Sequence, residues 1–253
     1  MNRVLTAAIG VPATILLTLY SPALIFGLLV ALAAGICLEE LMRLGALCLQ
    51  TRPGYWVLPI GAFVTLSFMG GPEAVLFVLA LAILSILGTA AFSASLPEAL
   101  PKAALAALGV IYCSMTLGFI LLMRREMVLV LLGILWVGDA AAYYGGRTWG
   151  QHLLAPGISP RKTVEGAFAG LIASVIAGVL LGVWVAGESS GALAAGSIVT
   201  ACVGQAGDLA ESALKRSAGV KDSSPLLPGH GGLLDRLDGL LFAAPVYYWF
   251  FMR

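Results

Sequence analysis

The chain has 253 residues, of which 60% are hydrophobic and only 11% are charged, and its mean hydropathy is +1.00. Because a water-soluble domain carries about 25% charged residues, this composition excludes a soluble globular protein, a disordered chain and a coiled coil. The net charge of +1 gives no bulk attraction for nucleic acid, which we do not expect as a partner. The composition predicts an all-α membrane protein that crosses the bilayer several times.

Apolar runs predict about nine transmembrane helices within a single domain, residues 1–253. The runs lie near residues 4–20, 22–42, 55–70, 73–93, 102–123, 127–146, 165–187, 190–207 and 236–252. All should be helices, because backbone amides in lipid must be paired within the chain. The first run lacks a good signal-peptide cleavage site, so we expect it to remain as the first helix.

Basic residues are distributed unevenly between the two sides of these spans. Eleven lie on the side of the N-terminus: Arg3, Arg43, Arg52, Lys102, Arg147, Arg161, Lys162, Lys215, Arg216, Lys221 and Arg236. Arg124, Arg125 and Arg253 lie on the other side. Since positively charged loops stay in the cytoplasm, we expect a cytoplasmic N-terminus and an outer C-terminus. The short chain favours a bacterial inner membrane.

Polar residues are concentrated in two loops on the predicted cytoplasmic side, residues 147–164 and 208–235. In the first loop, Thr163 is placed to cap the helix of span seven, with Gly166 at the third helical position. The basic and hydroxyl groups of Ser159–Thr163 then form an anion site at a helix N-terminus. The alternative is a basic loop that only sets the topology.

The second loop begins with four polar residues at helical spacing. Asp208, Glu211, Ser212 and Lys215 follow an i, i+3, i+4, i+7 pattern and share one face of a continuing helix. A carboxylate, a hydroxyl and a cation on one face suit a metal-bound phosphate; the alternative is a solvated helix end. Because Lys215 lies beyond the predicted end of span eight, we expect its side chain to be exposed.

Further carboxylates lie at the start of span nine and inside span six. Asp235 and Asp238 are spaced i, i+3 and lie on the same predicted side of the membrane as Asp208. The three carboxylates are therefore predicted to be oxygen ligands of Mg²⁺. The alternative for the two span-nine residues is to cap the helix and complement its dipole. Asp139 is a lone intramembrane carboxylate and a functional candidate, or else a structural partner of Arg147.

Two further groups have a simple structural explanation. A local i, i+4 ion pair accounts for Glu39 and Arg43 near the end of span two, and the neighbouring Glu40 is ambiguous. The Gly/Pro-rich segment 225–232 is either an ordinary connector or a backbone nest for an anion.

The segment from Ser212 to Asp238 resembles the signature of the phosphatidate cytidylyltransferases (CDP-diacylglycerol synthases). It meets eleven fixed positions within 27 residues: Ser212, Lys215, Arg216, Lys221, Asp222, His230, Gly231, Gly232, Asp235, Arg236 and Asp238. Gly207-Asp208, the loop S-P-R-K-T-V-E-G and the run G-D-A-A-A-Y-Y-G-G around Asp139 also resemble the family, so the catalytic part covers about residues 139–238.

The sequence departs from the family pattern at three positions. The family usually has Trp in place of Val164, and a hydroxyl residue and a glycine in place of Ala140 and Ala141. A hydroxyl beside Asp139 is therefore missing.

The resemblance implies transfer of the cytidylyl group of CTP to phosphatidate, giving CDP-diacylglycerol and pyrophosphate, by direct attack of the lipid phosphate on the α-phosphorus. It implies Mg²⁺, with a second cation left open, and a homodimer with a polar cavity that faces the cytoplasm. The implied catalytic residues are Asp208, Lys215, Arg216, Asp235 and Asp238. Asp208, Asp235 and Asp238 would hold the metal, with Asp139 a weaker candidate ligand. The implied substrate-binding residues are Ser159, Arg161, Lys162, Thr163, Ser212, Lys221, Asp222, His230, Gly231, Gly232 and Arg236.

Three other functions are compatible with parts of the sequence. A CDP-alcohol phosphotransferase would need a D-G-x-x-A-R run, which is absent. A transporter or channel would explain the hydropathy and Asp139, but not the eleven signature residues. A relative that acts on another lipid phosphate, such as an archaeal ether lipid, would share the same signature.

Overall fold

The computed structural model of the chain describes residues 2–92, 95–187, 190–226 and 231–251. The helices are α1 (Asn2–Tyr20), α2 (Ala23–Leu49), α3 (Val57–Ser67), α4 (Pro72–Ala91), α5 (Leu96–Gly109), α6 (Thr116–Gly118), α7 (Arg125–Trp149), α8 (Val164–Leu181), α9 (Ser190–Ser217) and α10 (Leu234–Phe251). A π turn, Val110–Met115, joins α5 to α6, and another, Gly182–Ala186, continues α8. Short 3₁₀ turns, Phe68–Gly70 and Phe119–Leu122, follow α3 and α6.

Each predicted apolar span coincides with a helix or a continuous helical run. Among the described residues, six runs are long and apolar enough to cross a membrane, namely Ala23–Leu49, Pro72–Ala91, Leu96–Leu122, Arg125–Trp149, Val164–Ala186 and Gly191–Ser217. Gly10–Tyr20 and Val57–Gly70 are shorter apolar helices. An all-α architecture with several membrane-spanning helices is therefore confirmed, while the count of nine stays a prediction.

The two polar loops contain regular structure. Helix α9 continues through Ser217, as the helical spacing of Asp208, Glu211, Ser212 and Lys215 predicts, so the connection to α10 begins after this residue. The loop 147–164 holds an antiparallel hairpin of β1 (Leu153–Ala155) and β2 (Ser159–Thr163), with Leu153 opposite Thr163. Three- and five-residue strands are too short to produce a clear alternation of polar and apolar residues.

The chain divides into two compact units, and the division falls within α9 after Ala213 and within α10 after Leu237. The first unit comprises residues 1–11, 21–122 and 214–237. Its core lies between α2, α3 and the run from α5 to α6, where Leu38 is fully buried. The Thr65 hydroxyl donates to the Ser114 carbonyl at 3.0 Å, which ties α3 to the π turn.

Helix α4 is the least buried of the long helices in the first unit. It buries Ala82 and Ile86 and leaves Leu76, Phe77 and Leu84 exposed. Exposed apolar surface of this extent is unfavourable in water. Such a surface is typical of a helix in a membrane protein.

The second unit comprises residues 12–20, 123–213 and 238–253, and its closest helix packing joins α7 to α8. A Cβ atom on Gly170 would lie 2.9 Å from the Gly138 carbonyl and 2.9 Å from the Ala142 Cβ. The Ser174 hydroxyl donates to the Ile134 carbonyl at 2.8 Å in the same interface. Small residues thus allow the two backbones to touch, as in other membrane helix pairs.

The glycine contact between α7 and α8 is testable with a single methyl group. Gly170→Ala should lower the free energy of unfolding in detergent by about 1–3 kcal/mol, because the new methyl overlaps with backbone. Gly88→Ala in α4 is the matched control, since a Cβ atom at this position would meet nothing within 4 Å. That control should be neutral or gain up to about 1 kcal/mol from helix propensity. Equal unfolding temperatures for the two variants would contradict the packing.

Candidate active site

Lys215 and Asp235 form a buried ion pair in the first unit. The Lys215 Nζ lies 2.5 Å from the Asp235 Oδ1, and the two side chains are 11% and 3% exposed. The expectation of an exposed Lys215 is therefore wrong. The physical reason is that α9 extends past the predicted membrane boundary and directs the lysine towards the start of α10.

The second oxygen of Asp235 is surrounded by donors from the loop between α9 and α10. Its Oδ2 accepts hydrogen bonds from the Ser223 backbone N–H (2.9 Å), the Ser223 hydroxyl (2.9 Å) and the Gly232 N–H (2.7 Å). Gly231 has a φ of +81°, and a Cβ there would lie 2.5 Å from Asp235. Glycine is therefore needed at this position both for its backbone conformation and for the close approach to the carboxylate.

These contacts determine the charge state of Asp235, which precedes the apolar part of α10. Burial alone would raise the pKa of the carboxyl, but the hydrogen bonds from Lys215, Gly232 and Ser223 together lower it below its ordinary value. Asp235 is consequently an anion at neutral pH, and its charge is balanced by Lys215.

Glu40 in α2 is a second buried carboxylate that contacts the same loop. It is 3% exposed and accepts four hydrogen bonds, from the hydroxyls of Ser223 (2.9 Å) and Ser224 (2.5 Å) and from the backbone N–H groups of Leu233 (3.1 Å) and Leu234 (2.7 Å). The contact between Glu40 and this loop was not predicted from the sequence. The only sign in the sequence is a carboxylate within an apolar run.

The neighbouring acidic residue in α2 has a different role. Glu39 pairs with Arg43 and, at 2.6 Å, with Arg52. The predicted i, i+4 pair between Glu39 and Arg43 is thereby confirmed.

The other signature residues of the first unit lie at its surface. Arg216, Lys221, Asp222 and Arg236 are exposed, and the Arg216 guanidinium donates to the Val220 carbonyl at 3.0 Å. His230 lies outside the described residues. The described part of the signature thus combines exposed cations with a buried network of carboxylates.

In the second unit, the β hairpin contributes a cation to α9. Lys162 pairs with Asp208, and the two side chains are 28% and 37% exposed. The Thr163 hydroxyl accepts from the Gly166 N–H at 3.1 Å, which confirms the predicted helix cap. Ser159 is half-buried and Arg161 exposed on the same strand. The hairpin therefore places basic and hydroxyl groups near Asp208.

Helices α9 and α10 cross closely beside Asp208. A Cβ on Gly207 would lie 2.6 Å from the Asp238 carbonyl oxygen, so the two backbones are in contact there. This contact places Asp208 and Asp238, both half-buried, next to the same crossing. Ser212 is buried one turn further along α9. Asp139, in the middle of α7, has an exposed side chain.

The carboxylates differ in how well they fit a divalent cation. No group of three or more His, Cys, Asp or Glu side chains in the described ranges is arranged to hold a metal ion. Asp208 and Asp238 offer the hard oxygen ligands that Mg²⁺ prefers. Both oxygens of Asp235 already accept hydrogen bonds from the chain itself, so this residue is less available to a cation than Asp208 and Asp238.

A sequence profile of the cytidylyltransferase family matches residues 1–252. The chain belongs to the cytidylyltransferase family. Three curated relatives bear the name phosphatidate cytidylyltransferase. The Brucella suis protein is 43% identical over 123 residues, which cover 49% of this chain and 46% of the relative. The Staphylococcus epidermidis protein is 45% identical over 114 residues, or 45% and 44% of the two chains.

The Haemophilus influenzae relative is 40% identical over 123 residues, which cover 47% of this chain and 43% of the relative. The chain thus spans slightly less than half the length of the curated relatives it matches. The family profile covers nearly the whole chain, whereas the curated relatives align with about half of the chain.

The contributions of Lys215 and Asp235 to the free energy of unfolding should be strongly coupled. Lys215→Met leaves the Asp235 carboxylate buried without its cation and should cost about 3–5 kcal/mol of unfolding free energy. The double variant Lys215→Met/Asp235→Asn removes both charges and should be more stable than Lys215→Met alone. Lys162→Met, in the more exposed pair, should cost under about 1 kcal/mol. Denaturation in detergent measures all three, and additive losses in the double variant would contradict the coupling.

Proposed function

We propose that this chain transfers the cytidylyl group of CTP to phosphatidate and releases CDP-diacylglycerol and pyrophosphate. The observation that carries the proposal is the family match over residues 1–252. The curated relatives that bear this activity in their names add support. The described part of the signature adds exposed cations beside an ordered loop, which suits a polyphosphate substrate.

The chemistry needs charge neutralisation and positioning more than a strong base. An oxygen of the lipid phosphate, already an anion at neutral pH, forms a bond to the α-phosphorus of CTP as the bond to pyrophosphate breaks. Asp222 would contact the substrate, and His230, Gly231 and Gly232 would shape the nucleotide pocket. The residues of the first unit that would bind phosphate oxygens are Arg216, Lys221 and Arg236. Those of the second unit would be Ser159, Arg161, Lys162, Thr163 and Ser212.

Lys215 would act as part of this cationic environment. Its Nζ is held by Asp235 within a buried network, so its position is fixed before a substrate arrives. A preorganised cation stabilises developing charge without the cost of reorganisation.

The metal proposal rests on the chemistry of the carboxylates. Asp208 and Asp238 are the favoured ligands of Mg²⁺, with Asp235 as a proposed third ligand and Asp139 as a weaker candidate. Bound Mg²⁺ would neutralise and orient the phosphates. A second cation remains part of the proposal.

Removing either favoured ligand should abolish most of the activity. Asp208→Asn and Asp238→Asn should each lower turnover by at least about a hundredfold, because each removes an anionic ligand. The assay follows CDP-diacylglycerol formation from labelled CTP, phosphatidate and Mg²⁺ by purified protein. Glu73→Gln, an exposed acid at the start of α4, is the control and should be silent. More than about a tenth of wild-type turnover in both Asn variants would rule out these ligands, and an inactive wild type would rule out the proposed reaction.

The finer membrane topology belongs to the same proposal. Nine spans with a cytoplasmic N-terminus and an outer C-terminus would place the loop between α9 and α10, residues 218–233, on the side that holds CTP, in a bacterial inner membrane. We call this segment the signature loop. The support is the excess of basic residues on one predicted side. The homodimer stays a prediction from the family resemblance.

An introduced cysteine tests this orientation. Leu226 is 52% exposed in the signature loop and makes a better reporter than the buried Ser224. Leu226→Cys, in a chain whose exposed Cys48 and Cys202 are changed to alanine, should react with an impermeant reagent only after cells are opened. Rapid labelling of intact cells would show that the loop faces outward, which is opposite to the proposed orientation.

A further inference from the structure

Glu40 joins the two ends of the signature loop. Its Oε1 accepts from the Ser224 hydroxyl and the Leu233 N–H, and its Oε2 accepts from the Ser223 hydroxyl and the Leu234 N–H. The two serines precede the Gly/Pro-rich part of the loop and the two leucines follow it. One carboxylate on α2 therefore closes the base of the loop.

The two leucine amides lie at the start of α10, where backbone N–H groups lack partners within the helix. A carboxylate at this end is also favoured by the helix dipole. Glu40 is thus an N-terminal cap of α10 that is supplied by a different helix.

Ser223 extends the network towards Lys215. Its hydroxyl oxygen lies 2.9 Å from the Glu40 Oε2 and 2.9 Å from the Asp235 Oδ2. A hydroxyl has a single hydrogen, so Ser223 donates to one carboxylate at a time and links the two. Asp235 in turn binds the Lys215 Nζ. A continuous polar path therefore connects α2 to the signature lysine.

We infer that Glu40 is a positioning residue for cytidylyl transfer, which orders the signature loop and, through Ser223 and Asp235, fixes the Lys215 cation. The inference rests on the proposed function. A purely apolar contact at this place would not serve, because the Ser224 hydroxyl and the Leu233 and Leu234 N–H groups would lose their acceptor. Glu40 itself need touch no substrate.

The test compares neighbouring acids of one helix. Glu40→Gln is nearly isosteric but turns one acceptor oxygen into an N–H donor that faces other donors. Glu39→Gln removes a carboxylate that pairs with Arg43 and Arg52 instead of with the loop donors. With CTP, phosphatidate and Mg²⁺, Glu40→Gln should lower kcat/KM per folded molecule by at least about tenfold. Glu39→Gln should stay within about twofold of wild type.

Hydrogen exchange separates positioning from general stability. In Glu40→Gln, exchange of the loop amides 218–226 and 231–234 should rise at least about tenfold, while α4 keeps wild-type exchange. The inference would be overturned if loop exchange and kcat/KM were both unchanged. It would also be overturned if the exchange rate rose uniformly throughout the protein while kcat/KM stayed normal. If Glu40→Gln cannot be purified folded, Ser224→Ala, which removes one donor and keeps the carboxylate, is judged by the same two measurements. Inactive wild-type protein would instead refute the proposed function and, with it, this role in catalysis.

Discussion

A carboxylate buried in an apolar protein is tolerable only when donors surround it, and this requirement shapes the first unit. Glu40 and Asp235 each lie within hydrogen-bond distance of four donors, and they share one of them, the Ser223 hydroxyl. Nearly all of the donors come from the loop between α9 and α10 or from the start of α10. The loop has few large apolar side chains with which to form a core of its own. The described ends of the loop are therefore held by the two carboxylates that their donors contact.

Close backbone contacts between helices are a main feature of the second unit. Glycines allow α7 to touch α8 and α9 to touch α10. The second of these contacts places Asp208 and Asp238 beside one crossing. Rigid helices hold functional groups more accurately than loops do. The two proposed metal ligands are thus carried by the more rigid kind of element, and the basic hairpin, capped onto α8 by Thr163, pairs with one of them, Asp208.

Features that depend on local sequence could be predicted, whereas features that depend on distant partners could not. The apolar spans follow from hydropathy, and the Thr163 cap and the Glu39–Arg43 pair follow from spacing within one helical turn. The burial of Lys215 depends on Asp235, twenty positions away, and the role of Glu40 depends on donors almost two hundred positions away. No periodicity within a single segment encodes such pairings, and a hairpin as short as β1–β2 leaves only a faint pattern.

The separation between Glu40 and Ser223, 183 positions along the chain, affects how the protein is made. Chains emerge from the ribosome N-terminus first, so α2 enters the membrane long before its hydrogen-bond donors have been synthesised. During that interval the carboxylate has none of the four donors that surround it in the folded protein. Completion of the signature loop is consequently a late event in biogenesis. A nascent chain that stops before Ser223 still carries the acidic group of Glu40 without any of these donors.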